Sequence, residues 1–306
     1  MVRSPHREFS NLFRSLRPGQ WTKNLFVFGA LMFARRLGDL HAVAAALLAF
    51  LVFCALSGAV YLVNDVFDRE QDRRHPLKAR RPIAAGAVGV PLALSTAALL
   101  GLLGLASAWL LGPRFLAVAA TYLALLIGYS MFLKHIVILD VLTIAAGFVL
   151  RAEAGGVAIA VPVSQWLLIC TSLLALFLAL AKRRHELLLL AEGATGHRPI
   201  LDEYTPYLLD QMIAVVTAST LIAYVFYAIS PETALRFGTP LLGLTVPFPL
   251  YGIFRYLYLV HRREEGGSPA DLLLTDRPLV IAVVLWVASV ILIIYHPFGP
   301  RFGSPL

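Results

Sequence analysis

Hydrophobic residues are grouped in nine long runs along the chain, and the polar positions are concentrated in the segments between them. Each run approaches the length of roughly 20 apolar residues that an α-helix needs to cross a bilayer. The pattern therefore predicts an all-α polytopic membrane protein with nine transmembrane helices. Their predicted ranges are 22–38, 42–63, 89–111, 115–133, 138–160, 164–181, 208–229, 240–259 and 278–296. No polar segment is long enough to bury a core of its own, so residues 1–306 are expected to form a single integral membrane domain.

The composition agrees with this class. Hydrophobic residues make up 59% of the chain and charged residues 14%, whereas soluble domains carry about 25% charged residues. The mean hydropathy is +0.77. The two cysteines, Cys54 and Cys170, both lie inside apolar runs and are expected to be core residues, with no disulfide framework.

The basic residues are distributed unevenly between the two sides of the predicted membrane. With nine spans, 19 of the 26 Lys and Arg residues fall on the side of the N-terminus and 5 on the other side. Cytoplasmic loops are enriched in Lys and Arg. The N-terminus and the long loops are therefore predicted to be cytoplasmic, in a plasma (inner) membrane, and the net charge of +8 requires no nucleic-acid partner.

The first twenty residues precede the first span and show a helical pattern of their own. Phe9, Leu12, Phe13 and Leu16 share one face, with arginines around them. This pattern predicts that residues 1–20 contain an amphipathic helix lying on an anionic membrane surface. The alternative is a disordered basic tail.

The segment from Val63 to Ile83, VNDVFDREQDRRHPLKARRPI, carries four acids and six bases directly after an apolar run. Asp65, Asp68 and Asp72 are spaced i, i+3, i+7 and share one face of a helix. Like charges at this spacing repel one another, and carboxylates of this kind suit Mg²⁺ together with water and substrate phosphate. The sequence therefore favours a magnesium site, and a solvated helix end is the alternative.

Other polar residues are predicted at the same membrane face. The segment RPGQWTKN carries Arg17, Gln20, Lys23 and Asn24, and the segment YSMFLKHIVILD carries Tyr129, Lys134 and Asp140. The bases that end the sixth span are topology signals or phosphate ligands; they are Lys182, Arg183 and Arg184.

Arg151 lies deep in the fifth span, three helical turns from Asp140 on the same face. An arginine at that depth is costly in lipid, so it is expected to face a polar cavity and a partner. Acids for a metal beside bases for anions indicate a phosphate-rich substrate, and the apolar spans would accommodate a lipid chain.

The segment NDVFDREQD, Asn64 to Asp72, resembles the first aspartate-rich motif of the UbiA superfamily of intramembrane prenyltransferases. The resemblance extends over essentially the whole chain. It implies a nine-helix bundle with a polar cavity that faces the cytoplasm. It also implies that Asn64, Asp65, Asp68 and Asp72 bind a diphosphate through Mg²⁺, with the three aspartates as catalytic residues.

The sequence departs from the superfamily pattern after the sixth span, where typical members have a second acidic motif. Here the segment reads AKRRHELLLLAEGATGHRP, which indicates a phosphate bound without a second metal. Four segments instead resemble a phosphoribosyltransferase branch of the superfamily: RPGQWTKNLFVF, NDVFDREQDRRHPLKARRPIAAG, YSMFLKHIVILDV and LAKRRHEL. The second of these segments adds the candidate phosphate ligands Arg74, Lys78 and Arg81.

That branch moves 5-phosphoribosyl from phosphoribosyl diphosphate to a polyprenyl (decaprenyl) phosphate and releases diphosphate. The product leads to the arabinose donor of certain bacterial cell walls, for arabinogalactan. For this chain the resemblance implies Mg²⁺ as the metal, with donor or acceptor phosphates on Lys23, Lys134, Arg151, Lys182 and Arg183. The acceptor length, the number of Mg²⁺ ions, loop closure over the donor and homo-oligomer formation stay open.

Three other functions compete with this interpretation. A UbiA-type prenyltransferase with an aromatic acceptor would share the fold and the first motif. A transporter would place its ionisable residues near the midplane, often in related halves, and no clear repeat is present. A CDP-alcohol phosphotransferase would carry DGxxAR followed by GxxxDxxxD, which the chain lacks.

Overall fold

A computed structural model of the chain describes residues 5–74, 78–191, 199–263, 272 and 274–295. Residues 1–4 of the predicted surface segment and residue 296 of the last predicted span lie outside these ranges. The secondary structure of the described residues is entirely helical. The α-helices are α1 (Pro5–Ser15), α2 (Gly29–Phe33), α3 (Leu40–Phe67), α4 (Arg69–Arg74), α5 (Val90–Trp109), α6 (Pro113–Met131), α7 (Leu139–Ala158), α8 (Gln165–Ala191), α9 (Pro206–Ile229), α10 (Pro231–Phe237), α11 (Pro247–Arg262) and α12 (Arg277–Tyr295). Short 3₁₀ helices occupy Pro18–Phe28, Lys78–Arg80, Leu133–His135, Pro199–Glu203 and Leu241–Thr245.

Seven helices in the described part of the chain are long and apolar enough to cross a membrane: α3, α5, α6, α7, α8, α9 and α12. An eighth span is present if two consecutive helical segments, which meet at a bend of 101°, together count as one span. These segments are Pro231–Phe237 and Leu241–Arg262. The chain is therefore an integral membrane protein with seven or eight spans by this criterion. The first predicted span, 22–38, does not form one long α-helix. It consists of the 3₁₀ helix Pro18–Phe28 followed by the short α2.

The 3₁₀ helix is held in the bundle because α7 approaches it at a glycine. A Cβ added to Gly155 would overlap the Val27 carbonyl group and lie 3.1 Å from the Val27 Cα. Val27 is fully buried, and Asn24 on the same helix is 1% exposed. The segment that carries Gln20, Lys23 and Asn24 is thus seated directly on α7.

We expect Gly155→Ala to destabilise the protein by about 2 kcal/mol, because overpacking a close helix contact typically costs 1–3 kcal/mol. Thermal unfolding of the purified protein in detergent measures this effect. Gly101→Ala is the matched control, because its added Cβ would meet only the Leu123 Cδ2 atom at an ordinary 3.8 Å. Equal melting temperatures for the two variants would contradict the close contact.

The bundle has two polar ends. At one end, which we call the aspartate end, the C-terminus of α3 lies beside the start of α7 and the end of α8. There Lys134 pairs with Asp68, and Arg183 pairs with Asp140. At the opposite end, the Arg36 side chain donates to the Ile159 carbonyl at 3.0 Å and connects the loop before α3 with the end of α7.

Helix α1 lies against the aspartate end. Leu12 and Leu16 pack against a core cluster that includes Ala59 and Leu62. Phe9 and Phe13 point outward and are 73% and 48% exposed. The predicted helix is therefore present, with one apolar edge on the bundle and another directed away from it.

Candidate functional site

The three aspartates of the NDVFDREQD segment are buried at the end of α3 and in α4. Asp65, Asp68 and Asp72 are 2%, 6% and 4% exposed. Helix α3 ends at Phe67, but the backbone N–H of Asp72 still donates to the Asp68 carbonyl at 2.7 Å. Helical hydrogen bonding therefore continues across the break, as the i, i+3, i+7 spacing predicts.

Two of the carboxylates are paired with cations from distant parts of the chain. Asp65 pairs with Arg17, and Asp68 pairs with Lys134. Asp68 also accepts a hydrogen bond from the Asn64 side chain at 3.0 Å. These contacts bring Asn64, Asp68 and Lys134 together, as the sequence predicted for one membrane face.

Arg81 joins the other two carboxylates. Its Nη1 atom lies 2.6 Å from Asp72 Oδ2 and 3.3 Å from Asp65 Oδ1. A single cationic nitrogen therefore sits between two buried carboxylates. The loop that contains Arg81 is fixed over α3 and α4, where the sequence placed it as a phosphate ligand.

The donor set of this site suits a hard divalent cation. Mg²⁺ is commonly bound by one or two carboxylates, with water and substrate phosphate completing its coordination. Asp65 and Asp72 already share one cation, and Asp68 lies less than one helical turn from Asp65. Among the described residues, however, no three His, Cys, Asp or Glu side chains converge as a ready-made metal cluster. The residues fit a metal that arrives together with a phosphate ligand.

Arg17 belongs to this site, although the sequence indicated only that it lies near the first predicted span. It lies between α1 and the first 3₁₀ helix with φ 53° and ψ 63°, a left-handed conformation that is costly for a residue with a Cβ. Its guanidinium also lies 5.1 Å from the centre of the Tyr61 ring. Nothing in the sequence spacing connects Arg17 with Asp65, because 48 positions separate them.

A second charged cluster connects α7 with α8. Arg183 Nε donates to Asp140 Oδ2 at 2.6 Å, and a second guanidinium nitrogen, Nη1, pairs with Glu186. Its Nη2 atom donates to the Tyr129 hydroxyl at 3.2 Å. Because two carboxylates balance Arg183, it would have to exchange a partner in order to bind a phosphate.

Tyr204 completes this cluster and was not predicted. Its hydroxyl accepts a hydrogen bond from the Ile138 N–H at 2.8 Å and donates one to Asp140 at 2.9 Å. Burial raises the pKa of Tyr204 to about 12, so the hydroxyl keeps its proton near neutral pH. The loop after the sixth span is thereby attached to the start of α7.

Arg151 is buried in the middle of α7 among neutral groups. It is 4% exposed and donates to Asn24 Oδ1 at 2.8 Å, to the Tyr122 hydroxyl at 2.6 Å and to the Gly147 carbonyl at 2.8 Å. Asn24 in turn donates to the Ser57 hydroxyl at 3.3 Å. The predicted polar partner is therefore present, and Arg151 connects the first 3₁₀ helix with α3, α6 and α7.

The remaining candidates surround these clusters or face away from them. Arg184 points to α9, where its Nε lies 2.5 Å from Asp210 Oδ1. Lys182 and Arg74 are exposed. Gln20, Lys23 and Lys78 are half-buried on the segments beside the aspartates. Arg184 is thus the candidate that the structure directs away from the Asp140 cluster.

Residues 24–274 match the model of the UbiA prenyltransferase family. The chain belongs to the UbiA prenyltransferase family. The resemblance inferred from the NDVFDREQD segment is therefore confirmed.

Three relatives of this UbiA protein carry the name decaprenyl-phosphate phosphoribosyltransferase. The Mycobacterium tuberculosis protein is 33% identical over 294 residues, which cover 95% of this chain and 96% of the relative. The Mycolicibacterium smegmatis protein is 35% identical over 302 residues, covering 95% and 94%. The Corynebacterium glutamicum protein is 33% identical over 299 residues, covering 96% and 90%. The predicted branch is thus the one to which this UbiA chain is similar.

A solved structure of a UbiA homolog from Archaeoglobus fulgidus, bound to DMAPP and Mg²⁺, has the same fold. The TM-score is 0.70, with 19% sequence identity, and the match covers 94% of this chain and 99% of the other. The UbiA bundle is thus established for this chain by sequence and by shape.

Proposed function

We propose that this UbiA protein transfers 5-phosphoribosyl from phosphoribosyl diphosphate to a polyprenyl phosphate, specifically decaprenyl phosphate, and releases diphosphate. The observation that carries the proposal is the 33–35% identity, over about 95% of the chain, with relatives named decaprenyl-phosphate phosphoribosyltransferase. The charged residues support it. Three buried carboxylates lie opposite Arg17, Arg81 and Lys134, which suits a donor rich in phosphate.

The donor diphosphate binds at the end of α3 in this proposal. Asp65 and Asp68, with Asp72 beside them, would hold Mg²⁺, which neutralises the charge that builds up on a leaving diphosphate. With Mg²⁺ held by the carboxylates, their present partners Arg17, Arg81 and Lys134 would bind the phosphate oxygens. Charge-assisted hydrogen bonds of this kind are about twice as strong as neutral ones.

The transfer exchanges one C–O bond for another. The bond between ribose C1 and the diphosphate breaks, and C1 passes through an oxocarbenium-like state, as in other glycosyl transfers. An oxygen of the lipid phosphate forms the new bond to C1, and the electron pair leaves with the diphosphate. The lipid phosphate is already an anion near neutral pH, so no strong general base is required. The protein contributes mainly positioning and electrostatic stabilisation.

The basic residues near α8 would hold the remaining phosphates, namely the 5-phosphate of the donor and the acceptor phosphate. Lys182 is exposed at the aspartate end, next to Arg183. Arg183 would release Glu186 when a phosphate binds, since the contacts with Asp140 and Tyr129 would keep it in place. Lys23, with Gln20 and Asn24 on the 3₁₀ helix Pro18–Phe28, is the other candidate. Arg151 holds this helix in place by donating to Asn24.

The proposed topology has nine crossings, with the N-terminus and the aspartate end in the cytoplasm. The first crossing would be Pro18–Phe33. Eleven residues of 3₁₀ helix rise about 22 Å and five of α-helix about 7.5 Å. Together they approach the roughly 30 Å hydrocarbon core. Helix α1 would lie in the cytoplasmic interface with Phe9 and Phe13 in the lipid, and residues 1–306 would form one membrane domain.

The proposal is tested with purified protein in detergent, Mg²⁺, labelled phosphoribosyl diphosphate and decaprenyl phosphate. We expect label in an organic-extractable product, one released diphosphate per transfer, and loss of both with EDTA. Failure of this transfer, together with transfer from a prenyl diphosphate to an aromatic acid, would establish the ordinary prenyltransferase instead. Failure of both reactions, with coupled uptake of a solute into proteoliposomes, would favour a transporter.

A further inference from the structure

The backbone makes a strained turn at Ile138, directly before α7. Ile138 has φ 70° and ψ −43°, and the Leu139 N–H donates to the Val137 carbonyl at 2.8 Å across it. A γ-turn with these signs of φ and ψ is rare and strained. Among the described non-glycine residues with a positive φ, Ile138 alone has a branched Cβ, which makes this conformation especially unfavourable. The turn therefore persists only if contacts from elsewhere in the fold hold it.

The Tyr204 hydroxyl supplies such contacts from 66 positions later in the chain. Tyr204 is 3% exposed, and it follows the buried residues Ile200 and Leu201 of a short 3₁₀ helix. Its hydroxyl accepts a hydrogen bond from the Ile138 N–H at 2.8 Å and donates one to Asp140 Oδ1 at 2.9 Å. One phenolic oxygen thus binds both the backbone of the strained residue and the side chain two positions after it.

The turn lies between the two charged clusters of the site. Lys134, four residues before Ile138, pairs with Asp68 of the aspartate motif. Asp140, two residues after Ile138, accepts a hydrogen bond from Arg183 Nε at 2.6 Å. The conformation at Ile138 therefore sets how far the Lys134 ammonium group lies from the Arg183 guanidinium group.

This spacing matters for the proposed function, on which the inference rests. In that function Lys134 binds the donor diphosphate and Arg183 binds a further phosphate. Groups that bind a substrate together have to be held within about 0.5 Å of their productive positions. A relaxation of the strained turn would move Lys134 relative to Arg183, so the two cations would no longer fit their phosphates.

We propose that Tyr204 is a positioning residue for phosphoribosyl transfer. Its hydroxyl holds the Ile138 turn in the strained conformation, and the turn holds Lys134 in position relative to Arg183. Tyr204 acts through these two cations and does not itself contact the substrates. The loop after α8 thereby contributes to donor binding, although its sequence lacks the second acidic motif of typical superfamily members.

Tyr204→Phe tests the proposal, because it removes both hydrogen bonds and keeps the ring. We expect the KM for phosphoribosyl diphosphate to rise about tenfold, with kcat changed by less than about twofold, because a displaced cation weakens donor binding. A purely structural contribution would instead reduce the amount of active protein, which lowers the apparent kcat and leaves KM unchanged.

Tyr256→Phe is the matched control. Tyr256 belongs to the same core cluster as Tyr204 and is 2% exposed, and its hydroxyl has no hydrogen-bond partner among the described residues. The same chemical change should therefore leave KM and kcat as they are in the unmodified protein. A KM increase of equal size in both variants would overturn the proposal, because it would not depend on the contacts with the turn.

A second substitution at position 138 separates backbone strain from side-chain packing. Adding Ile138→Gly to Tyr204→Phe should return KM to within about twofold of the unmodified value, because glycine adopts a positive φ without strain. Adding Ile138→Ala should not, since it also removes the Ile138 side chain, which is 47% exposed, but keeps the Cβ. Equal KM values for these two double variants, or an unchanged KM in Tyr204→Phe, would overturn the proposal.

Hydrogen exchange tests the turn independently of the reaction. Deuterium uptake by the segment 136–142 is followed by mass spectrometry of the full-length protein in detergent. It should be faster in Tyr204→Phe and unchanged in Tyr256→Phe, because the Ile138 amide loses its acceptor only in the former. Unchanged uptake in Tyr204→Phe would overturn the inference whether or not the protein transfers phosphoribosyl. Faster uptake, without transfer by the unmodified protein, would refute the proposed function and still support the attachment of the turn by Tyr204.

Discussion

Asp65→Asn and Asp68→Asn are each expected to lower the rate of phosphoribosyl transfer by about a thousandfold or more. A metal ion that neutralises a leaving group contributes several kcal/mol of transition-state stabilisation, and about 4 kcal/mol corresponds to a thousandfold in rate. An Asn side chain keeps the size of Asp but offers one neutral oxygen in place of a carboxylate. The measurement is initial rate against Mg²⁺ concentration. Part of the loss should appear as a higher Mg²⁺ requirement.

The Asp65→Asn variant should stay folded, whereas Asp68→Asn is expected to lower the melting temperature, because Lys134, whose side chain is 4% exposed, loses its carboxylate partner. Arg17 and Arg81, the partners of Asp65, are each 26% exposed on their side chains, so water can solvate them when the carboxylate is removed. Glu70→Gln is the matched control, because it makes the same change within the same segment on a side chain that is 72% exposed. Near-normal transfer by both aspartate variants would refute the metal assignment. A comparable loss in the Glu70 variant would show that the segment tolerates no change of charge.

The ion pairs at the aspartate end have a consequence for substrate binding. Every buried carboxylate of the motif already has a cationic partner, so the proposed diphosphate with Mg²⁺ would bind by an exchange of partners. In the proposed function, Asp65, Asp68 and Asp72 would hold the metal in place of their present partners, and Arg17, Arg81 and Lys134 would bind the phosphate oxygens. No buried charge would then be left without an opposite charge beside it. Removing buried charges from water without partners is what makes such sites costly.

The sequence predicts a span wherever a single continuous α-helix crosses the bundle. Long apolar runs such as Leu40–Phe67 and Arg277–Tyr295 satisfy the length and polarity rules by themselves. The first span was not predictable in detail. Its close packing on α7 depends on Gly155, 128 positions after Val27, because only a residue without a Cβ lets α7 approach so closely. Hydropathy records that residues are apolar but not how closely two backbones can approach.

For the site, the sequence predicts the positions of the aspartates but not their partners. The spacing of Asp65, Asp68 and Asp72 is a local property of one helix, and the structure keeps it. Their partners depend on contacts between distant segments: Lys134 pairs with Asp68 across 66 positions. The adjacent bases at the end of α8 show the same limit. A turn of about 100° per residue directs Arg183 to α7 and Arg184 to α9.

Asp140→Ala is expected to destabilise the protein by about 3–5 kcal/mol, the largest stability change predicted for one side chain here. The Asp140 side chain is fully buried, and its partner Arg183 is 3% exposed. Removing one member of a buried pair leaves the other as an uncompensated charge, which typically costs that amount. Glu186 would compensate only part of the charge on Arg183. Thermal unfolding in detergent, followed by scattering or intrinsic fluorescence, measures the loss.

Asp210→Ala is the internal comparison, because it removes a carboxylate from the next arginine of the same helix. The Asp210 side chain is 36% exposed and that of Arg184 is 14% exposed, so its loss should cost less than about 1 kcal/mol. Combining Asp140→Leu with Arg183→Met should recover much of the stability that either change loses alone, since both members of the most deeply buried pair are then removed. Additive losses in that double variant, or equal losses for Asp140→Ala and Asp210→Ala, would show that burial does not control the strength of these pairs. A stable double variant without transfer activity would then separate the structural contribution of the pair from a direct contact between Arg183 and a substrate phosphate.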